Sequence, residues 1–392
     1  MLLQHPYLKL KAWVRRIGHP NQMRLSPLLV VLCYVSMAWT KKISRQERRK
    51  LVMRFNPTRR FDASTNVTTP MQVGNGNFAF GADVTSLQTF QPFSIMSNWG
   101  WKTDAYPVGR TKEDIEAYKG VSWLNHGRPV QYDFGGPPDI EAWLRSNPNR
   151  ANLGRIGLSF WEEGWQETQT VTLAGLKNGS QTLDLWTGRL ESTFQLFGAP
   201  VSVQTACDPD SDTVAIVVSS PLIKKKRLGL FVDYPWNEGS SKFSAPFVGF
   251  WDKPESHTTQ LSSLSGPYSR FRITQKANDD VFFTHFGGDI TIRRHVPEAH
   301  RYFIFPTKAT STLALTVHFG KEKNLDTLQM PSKIISNSAE SWDKYWTETG
   351  FVDLTQGPEV ESTELQRRIV LSRYLLRVNE AGDLPPQEVS YL

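Results

Sequence analysis

The side chains best suited to chemistry in this chain are aromatic and amide groups in one glycine-rich stretch. Asn98-Trp99-Gly100-Trp101 places two indoles two residues apart, and further aromatic and polar groups follow within thirty residues. Indole faces match the apolar C–H faces of pyranose rings, while amide and imidazole groups pair with hydroxyls. We therefore predict five sugar contacts: Trp99, Trp101, Trp123, Asn125 and His126. The alternative is that these aromatic residues pack one end of a β-sandwich or its interface with another domain.

The acidic residues show no pattern that predicts catalysis. Glycoside hydrolysis with inversion needs an acid and a carboxylate roughly 6.5–9.5 Å apart. The adjacent Glu162 and Glu163 point to opposite faces of a strand or lie in solvent. Asp208, Asp210 and Asp212 alternate as calcium ligands do, yet the glycine and distal glutamate of a calcium loop are missing. A solvated hairpin turn is favoured there, and we assign no catalytic residue.

Metal and cofactor motifs are also missing from the sequence. No P-loop, nucleophile elbow or CxxC is found. Six histidines lack the spacing of metal ligands on one element: His126, His257, His285, His295, His300 and His318. We therefore predict neither a metal nor a cofactor.

Composition and charge indicate a folded protein that does not bind nucleic acid. The 392 residues suffice for one large or two ordinary domains, and 39% of them are hydrophobic. The net charge of +7 comes largely from the first sixty residues, including Arg48-Arg49-Lys50 and Arg59-Arg60. Phosphate binding needs a basic face on the folded body. The run Lys224-Lys225-Lys226-Arg227 is short enough to be a solvated turn.

Residues Met23 to Ala38 have the pattern of a secretory signal. A charged start precedes an apolar stretch too short for a typical membrane span, and Ser36 and Ala38 are spaced as at a signal-peptidase site. We expect Met23 to be the initiator and the protein to be secreted, without stable membrane insertion. A signal anchor or a buried apolar segment is the alternative. The sequons at Asn66 and Asn178 then permit glycosylation.

Short β-rich runs separated by Gly, Pro, Asn and Asp fill residues 61–331 and predict a mainly β protein of stacked antiparallel sheets. Thr170–Leu173 is the first of a series of predicted strands that extends to residue 319. Lys112–Tyr118, Pro138–Ser146 and Ser332–Tyr345 have helical composition. A capping-box pattern at Thr363 predicts a last helix as far as Ala381. Its predicted buried stripe consists of Leu365, Ile369, Leu371, Leu375, Leu376 and Val378.

Three separated motifs resemble one protein family. Val73–Val84 (VGNGNFAFGADV) resembles the start of the β-sandwich in six-hairpin glycosidases related to glycoside hydrolase family 65. Gln181–Leu190, followed by Ser192 and Phe194, is similar to fungal-type secreted members. Glu364–Glu388 resembles the beginning of the (α/α)6 barrel in such enzymes. The residues of Gly74-Asn75-Gly76-Asn77 also have a structural explanation, because Asn-Gly suits a tight hairpin turn.

The resemblance implies a galactose-mutarotase-like β-supersandwich, a helical linker and the first helix of an incomplete (α/α)6 barrel. We expect a leader at 1–60 with the signal at 23–38, the sandwich at 61–331, the linker at 332–362 and the barrel helix at 363–392. Relatives act on α-linked glucosides with carboxylates carried by the barrel, and no residue here matches those. We therefore expect a chain that is inactive alone. The alternatives are a non-catalytic carbohydrate-binding or interaction module and an unstable fragment without activity.

Overall fold

The computed structural model describes residues 43–65, 68–241, 244, 248–265, 270–296, 300–355, 357 and 360–384. The predicted signal at 23–38, the sequon Asn66 and residues 385–392 lie outside this part of the chain. Two units are distinguished, Met1–Arg45 and Gln46–Leu392, and nearly all described residues belong to the second. The predicted domain boundaries stay predictions.

The strands of the described residues are short and follow one another closely along the chain. In chain order they are β1 (Thr58–Phe61), β2 (Met71–Gly74), β3 (Phe78–Ala82), β4 (Ile95–Ser97), β5 (Trp101–Lys102), β6 (Val121–Asn125), β7 (Arg128–Tyr132), β8 (Asn149–Arg150), β9 (Arg155–Phe160), β10 (Lys177–Asp184), β11 (Arg189–Leu196), β12 (Ala199–Cys207), β13 (Thr213–Ser219), β14 (Leu228–Asp233), β15 (Thr258–Leu264), β16 (Arg270–Ala277), β17 (Asp280–Gly288), β18 (Ile290–Arg294), β19 (Arg301–Pro306) and β20 (Thr312–Gly320). The α-helices are α1 (Arg45–Arg54), α2 (Lys112–Glu116), α3 (Pro138–Ser146), α4 (Pro221–Lys224), α5 (Pro331–Glu348) and α6 (Val360–Asn379).

Two antiparallel sheets form the main body. The larger has nine described strands in the order β1-β10-β11-β12-β13-β20-β17-β16-β15, and the smaller has the order β18-β19-β14-β9. Alternate residues face inward, as in β11, where Leu190, Phe194 and Leu196 are buried. These residues share one core with Leu230 and Ile304 of the smaller sheet. The mainly β, antiparallel fold predicted from the sequence is confirmed, although Thr170–Leu173 forms no strand.

Helices α5 and α6 pack together through stacked aromatic rings. Trp342 of α5 lies against Tyr374 of α6 with ring centroids 4.5 Å apart and an angle of 17° between the planes. Trp346 is fully buried, and its Nε1 donates a hydrogen bond to the carbonyl oxygen of Leu185. These contacts join both helices to the core of the sandwich. No described helix combines the length and the apolar composition that crossing a bilayer requires.

The buried face of α6 differs from the predicted one. Its buried residues are Gln366, Val370, Tyr374 and Val378, which recur every four residues. Of the predicted stripe only Val378 is buried, while Leu365, Leu375 and Leu376 are exposed. The prediction was wrong because it counted apolar side chains alone, whereas two buried residues of α6 are polar and hydrogen-bonded. Gln366 Oε1 accepts from the Leu354 amide, and the Tyr374 hydroxyl donates to the Gln72 carbonyl oxygen.

Helix α1 lies in the basic segment for which the sequence predicted no element. Leu51 and Val52 are buried, so the charged residues around them occupy the outer positions. Arg48 Nη1 donates to the carbonyl oxygens of Trp346, Thr347 and Thr349 at distances of 2.9, 3.2 and 2.9 Å. A cation at the last turn of α5 satisfies carbonyl groups that the helix itself leaves unpaired.

Candidate functional site

The Gly-Asn-Gly-Asn motif forms the turn of the β2–β3 hairpin, as predicted. Asn75 Oδ1 accepts hydrogen bonds from the amides of Asn77 and Phe78, at 3.0 and 2.8 Å. Gly76 has φ +99°, a conformation that favours glycine. The short asparagine side chain and the glycine therefore fix the shape of this turn.

The end of α6 lies directly on that turn. The Gly76 amide donates to the Val378 carbonyl oxygen at 3.0 Å. A Cβ atom added at Gly76 would lie 2.5 Å from the carbonyl carbon of Ala381. Asn77 Nδ2 donates to Asp383 Oδ2, and Asn77 Oδ1 accepts from the Asp383 amide. Close approach of a second segment is thus a further reason for glycine at position 76, which the sequence alone did not indicate.

A cleft of about 400 Å³ opens beside this junction. Its volume lies within the range of roughly 300–1,000 Å³ that is typical of small-molecule sites. The polar side chains of its lining are Thr68, Gln72, Asn77, Ser94, Asn98, Arg150 and Asn379. Phe93, Met96 and Leu384 add apolar surface. A lining of amides and hydroxyls, with one guanidinium and a few apolar groups, suits a ligand that carries many hydroxyl groups.

Hydrogen bonds hold the amides of this cleft in place. Asn98 Nδ2 donates to Asn77 Oδ1 at 2.7 Å, and Asn379 Nδ2 donates to Gln72 Oε1 at 2.9 Å. Among the described residues, Nε2 of Gln72 and the Oδ1 atoms of Asn98 and Asn379 have no hydrogen-bond partner. On these three side chains, one NH₂ group and two carbonyl oxygens therefore remain for a ligand, and the hydrogen bonds already orient them.

The predicted sugar contacts Trp99 and Trp101 lie next to this cleft but do not line it. Trp99 Nε1 donates to Asp212 Oδ2 at 2.6 Å, and its ring lies 6.2 Å from that of Phe282. Trp101 Nε1 donates to the Asn98 carbonyl oxygen, and the Arg150 guanidinium lies 4.7 Å from the Trp101 ring centroid. Both indoles are half-buried. Trp99 thus packs against the sandwich, while Trp101 supports Asn98 and Arg150 in the wall of the cleft.

The other predicted contacts lie together on the β6–β7 hairpin. Trp123 is 55% exposed and packs against Tyr132 and Phe134, with ring centroids 5.3 and 5.2 Å apart. Asn125 and His126 are exposed at the turn of this hairpin, where His126 has φ +50°. The aromatic rings that Trp123 contacts, those of Tyr132 and Phe134, differ from that of Phe282, which Trp99 contacts. The five predicted residues therefore divide between two places.

Asp212 is buried rather than solvated. Its Oδ2 accepts from Ser97 Oγ and from Trp99 Nε1, and its exposed fraction is 9%. Burial raises the pKa of the Asp212 carboxyl, and the donors from Ser97, Trp99 and Asn75 oppose this change. Asp208 is also buried. The predicted turn is present between β12 and β13 and Asp210 is exposed, but the prediction was wrong for Asp208 and Asp212, which are buried; Ser97 and Trp99 contact the Asp212 carboxylate.

The described residues bring no pair of carboxylates to the cleft. No aspartate or glutamate is part of its described lining. Glu162 and Glu163 are exposed in a loop. No described group of three or more His, Cys, Asp or Glu residues is arranged to hold a metal ion. The described lining therefore offers groups that form hydrogen bonds, but no carboxyl group to act as a general acid or base.

Asn178, the predicted glycosylation site within the described residues, is exposed and has φ +53° at an irregularity of β10. Its glycosylation stays a prediction. Sequence reasoning did not identify Gln72, Arg150 and Asn379 as lining residues. These three residues are distant from one another in the sequence, and the neighbouring GNGN motif was the only sequence pattern that pointed to this part of the molecule.

Comparisons with known proteins found similarity to solved structures. No family model matches the chain, and no curated protein sequence matches it. A solved structure provisionally named as a kojibiose phosphorylase, from the human microbiome, is similar with a TM-score of 0.37 and 10% sequence identity. The similarity covers 85% of this chain and 37% of that structure. The chain thus spans little more than a third of the length of the protein to which it is similar.

Proposed function

We propose that this chain is the carbohydrate-recognising β-sandwich and linker of a glycoside hydrolase related to family 65. The observation that carries the proposal is the cleft at which the GNGN turn, the Asn98–Trp101 segment and the end of α6 meet. Oriented amides with unpaired donors and acceptors are suited to the hydroxyl groups of an α-linked glucoside. The three motifs quoted above support the assignment to this class of enzyme.

We further propose that the chain does not hydrolyse glycosides by itself. Protonation of the leaving oxygen and activation of water need two carboxyl groups at one site. The described lining of the cleft provides none. Leu365, Leu375 and Leu376 are exposed on α6, and we propose that a helical domain carrying those carboxylates packs against this helix.

A non-catalytic carbohydrate-binding module is the second candidate, because Trp123, Tyr132 and Phe134 form an exposed aromatic cluster. An exposed aromatic cluster of this kind is suited to stacking on sugar rings. In that case binding would depend on the β6–β7 hairpin and not on the amide cleft.

The two candidates are distinguished by calorimetric titration of the purified chain with maltose and kojibiose, with cellobiose as the β-linked control. We expect saturable binding of the α-linked sugars, weakened at least about tenfold in Asn379→Ala and unchanged in Trp123→Ala. Loss of binding in Trp123→Ala alone would favour the hairpin module. Glucose release above that of a heat-inactivated sample, or no saturable binding of any sugar, would refute the proposal.

A further inference from the structure

The outer face of the smaller sheet carries an aromatic cluster separate from the main core. Tyr302 and Ile304 of β19 face the core, so Phe303 and Phe305 face outward. They join Trp161 and Phe231 in a second buried group, against which Trp165 packs. The cluster lies outside the cleft described above, because the two share no lining residue.

Trp165 covers this cluster in an unusual backbone conformation. It has φ +63° and follows Gly164 at φ +90°, and bulky residues rarely adopt positive φ. The Trp165 amide donates to the Lys226 carbonyl oxygen at 3.1 Å. The indole lies 4.4 Å from Phe305 and 6.0 Å from Trp161 between ring centroids. The turn at Gly164 and Trp165 therefore holds an indole at a position where a glycine would be less strained.

Two clefts border Trp165. Their volumes are about 480 Å³ and about 380 Å³, and both are lined by Trp165, Arg293 and Phe305. The Arg293 guanidinium lies 4.7 Å from the Phe305 ring centroid. The two clefts therefore adjoin at these three aromatic and cationic residues, and we refer to both clefts together as the depression around Trp165.

Basic side chains dominate the charge around this depression. Arg294 and His295 line one cleft, and Lys224, Lys226 and Lys308 line the other. Glu167 is the one acidic residue of the two described linings, and Lys308 lies 3.7 Å from Asp289. The three lysines 224–226 and Arg293 are exposed. The run of lysines that the sequence assigned to a solvated turn thus contributes to one side of a built depression.

We propose that this depression binds an anionic oligosaccharide, a glycan with sulfate or carboxylate groups. An indole face stacks on the C–H face of a sugar ring, and a guanidinium forms paired hydrogen bonds with sulfate or carboxylate oxygens. Two clefts joined at Trp165 and Arg293 have room for successive sugar units whose charges meet lysines on one side. The proposal is independent of the amide cleft and of the function proposed above.

The test is calorimetric titration of the full chain with a heparin-derived hexasaccharide and with an oligogalacturonide, using maltohexaose as the uncharged control. We expect at least one of the two anionic sugars to bind saturably. Trp165→Ala and Arg293→Gln should each weaken that binding about tenfold, and Lys224→Gln should weaken it severalfold. Any binding of maltohexaose should not respond to Arg293→Gln.

Arg49→Gln is the matched control, because Arg49 is an exposed arginine on α1 outside both clefts. Equal weakening by Arg49→Gln and Arg293→Gln would show diffuse charge attraction and overturn the proposal. Failure of both anionic sugars to bind would also overturn it, as would tighter binding of single-stranded RNA or polyglutamate at the same residues. If Trp165→Ala does not fold, Arg293→Gln and Lys224→Gln decide, because both replace exposed side chains.

Discussion

The packing of α6 leads to a prediction that distinguishes its two faces. Tyr374 is fully buried, stacks on Trp342 and donates a hydrogen bond to the Gln72 carbonyl oxygen at 2.9 Å. Leu376, two residues later, is 51% exposed. The sequence pattern alone selected Leu376 for the interior. We therefore compare Tyr374→Ala, Tyr374→Phe and Leu376→Ala.

The expected changes in the free energy of unfolding follow from these contacts. Removal of a fully buried aromatic ring leaves a cavity and costs about 3–5 kcal/mol. Tyr374→Phe keeps the ring but removes the donor to a carbonyl oxygen, which costs about 1–3 kcal/mol. Leu376→Ala removes a half-exposed side chain and should cost no more than about 0.5 kcal/mol.

Urea denaturation followed by tryptophan fluorescence measures all three changes, provided that the slope of the transition is the same in each variant. The order Tyr374→Ala, Tyr374→Phe, Leu376→Ala is expected. A cost for Leu376→Ala as large as that for Tyr374→Ala would mean that α6 is rotated relative to the arrangement described here. That result would refute the packing of α6 against β2 and α5.

Two further predictions concern the GNGN turn and a buried histidine. Gly76→Ala should destabilise the fold more than the control Gly109→Ala. Both glycines have positive φ, but only a Cβ at position 76 meets other atoms. Urea denaturation should give a loss of about 1–2 kcal/mol for Gly109→Ala and about twice that loss for Gly76→Ala. Burial, with a smaller effect from His300, lowers the pKa of His257 from 6.5 to about 4. On acidification the unfolded chain binds the proton on His257 before the folded chain does. The free energy of unfolding should therefore fall by up to about 3 kcal/mol because of His257 as the pH falls from 6.5 to about 4. If His257→Phe loses as much stability over this pH range as the wild type, the prediction is contradicted.

Much of the fold could be predicted because strand patterns and turn residues act locally. Pro138–Ser146 is a helix with the predicted bounds, and the stacked antiparallel sheets follow from short β-rich runs between turns. α1 was missed, because its two buried residues lie among many charges and give no clear periodicity. The face of α6 was wrong because the hydrogen bonds of Gln366 and Tyr374 depend on distant partners.

The candidate site could be predicted only in part, and for the same reason. The GNGN motif was recognised as a turn because its spacing has a local meaning, but none of the five predicted sugar contacts is part of the described lining of the cleft. Gln72, Arg150 and Asn379 join this turn only through tertiary contacts. Asp212 was placed in solvent because the sequence could not show that Trp99 covers it. Local patterns therefore predicted the turn but not the groups that complete the cleft.

The most direct test of sugar recognition is to observe the side-chain amides of the cleft by NMR during a maltose titration. We predict that the NH₂ signals of Gln72, Asn98 and Asn379 shift together and saturably, with one dissociation constant. The indole signal of Trp123 should remain unchanged. Shifts confined to Trp123, or no shift of the three amides at any maltose concentration, would contradict the assignment of the cleft as the carbohydrate site.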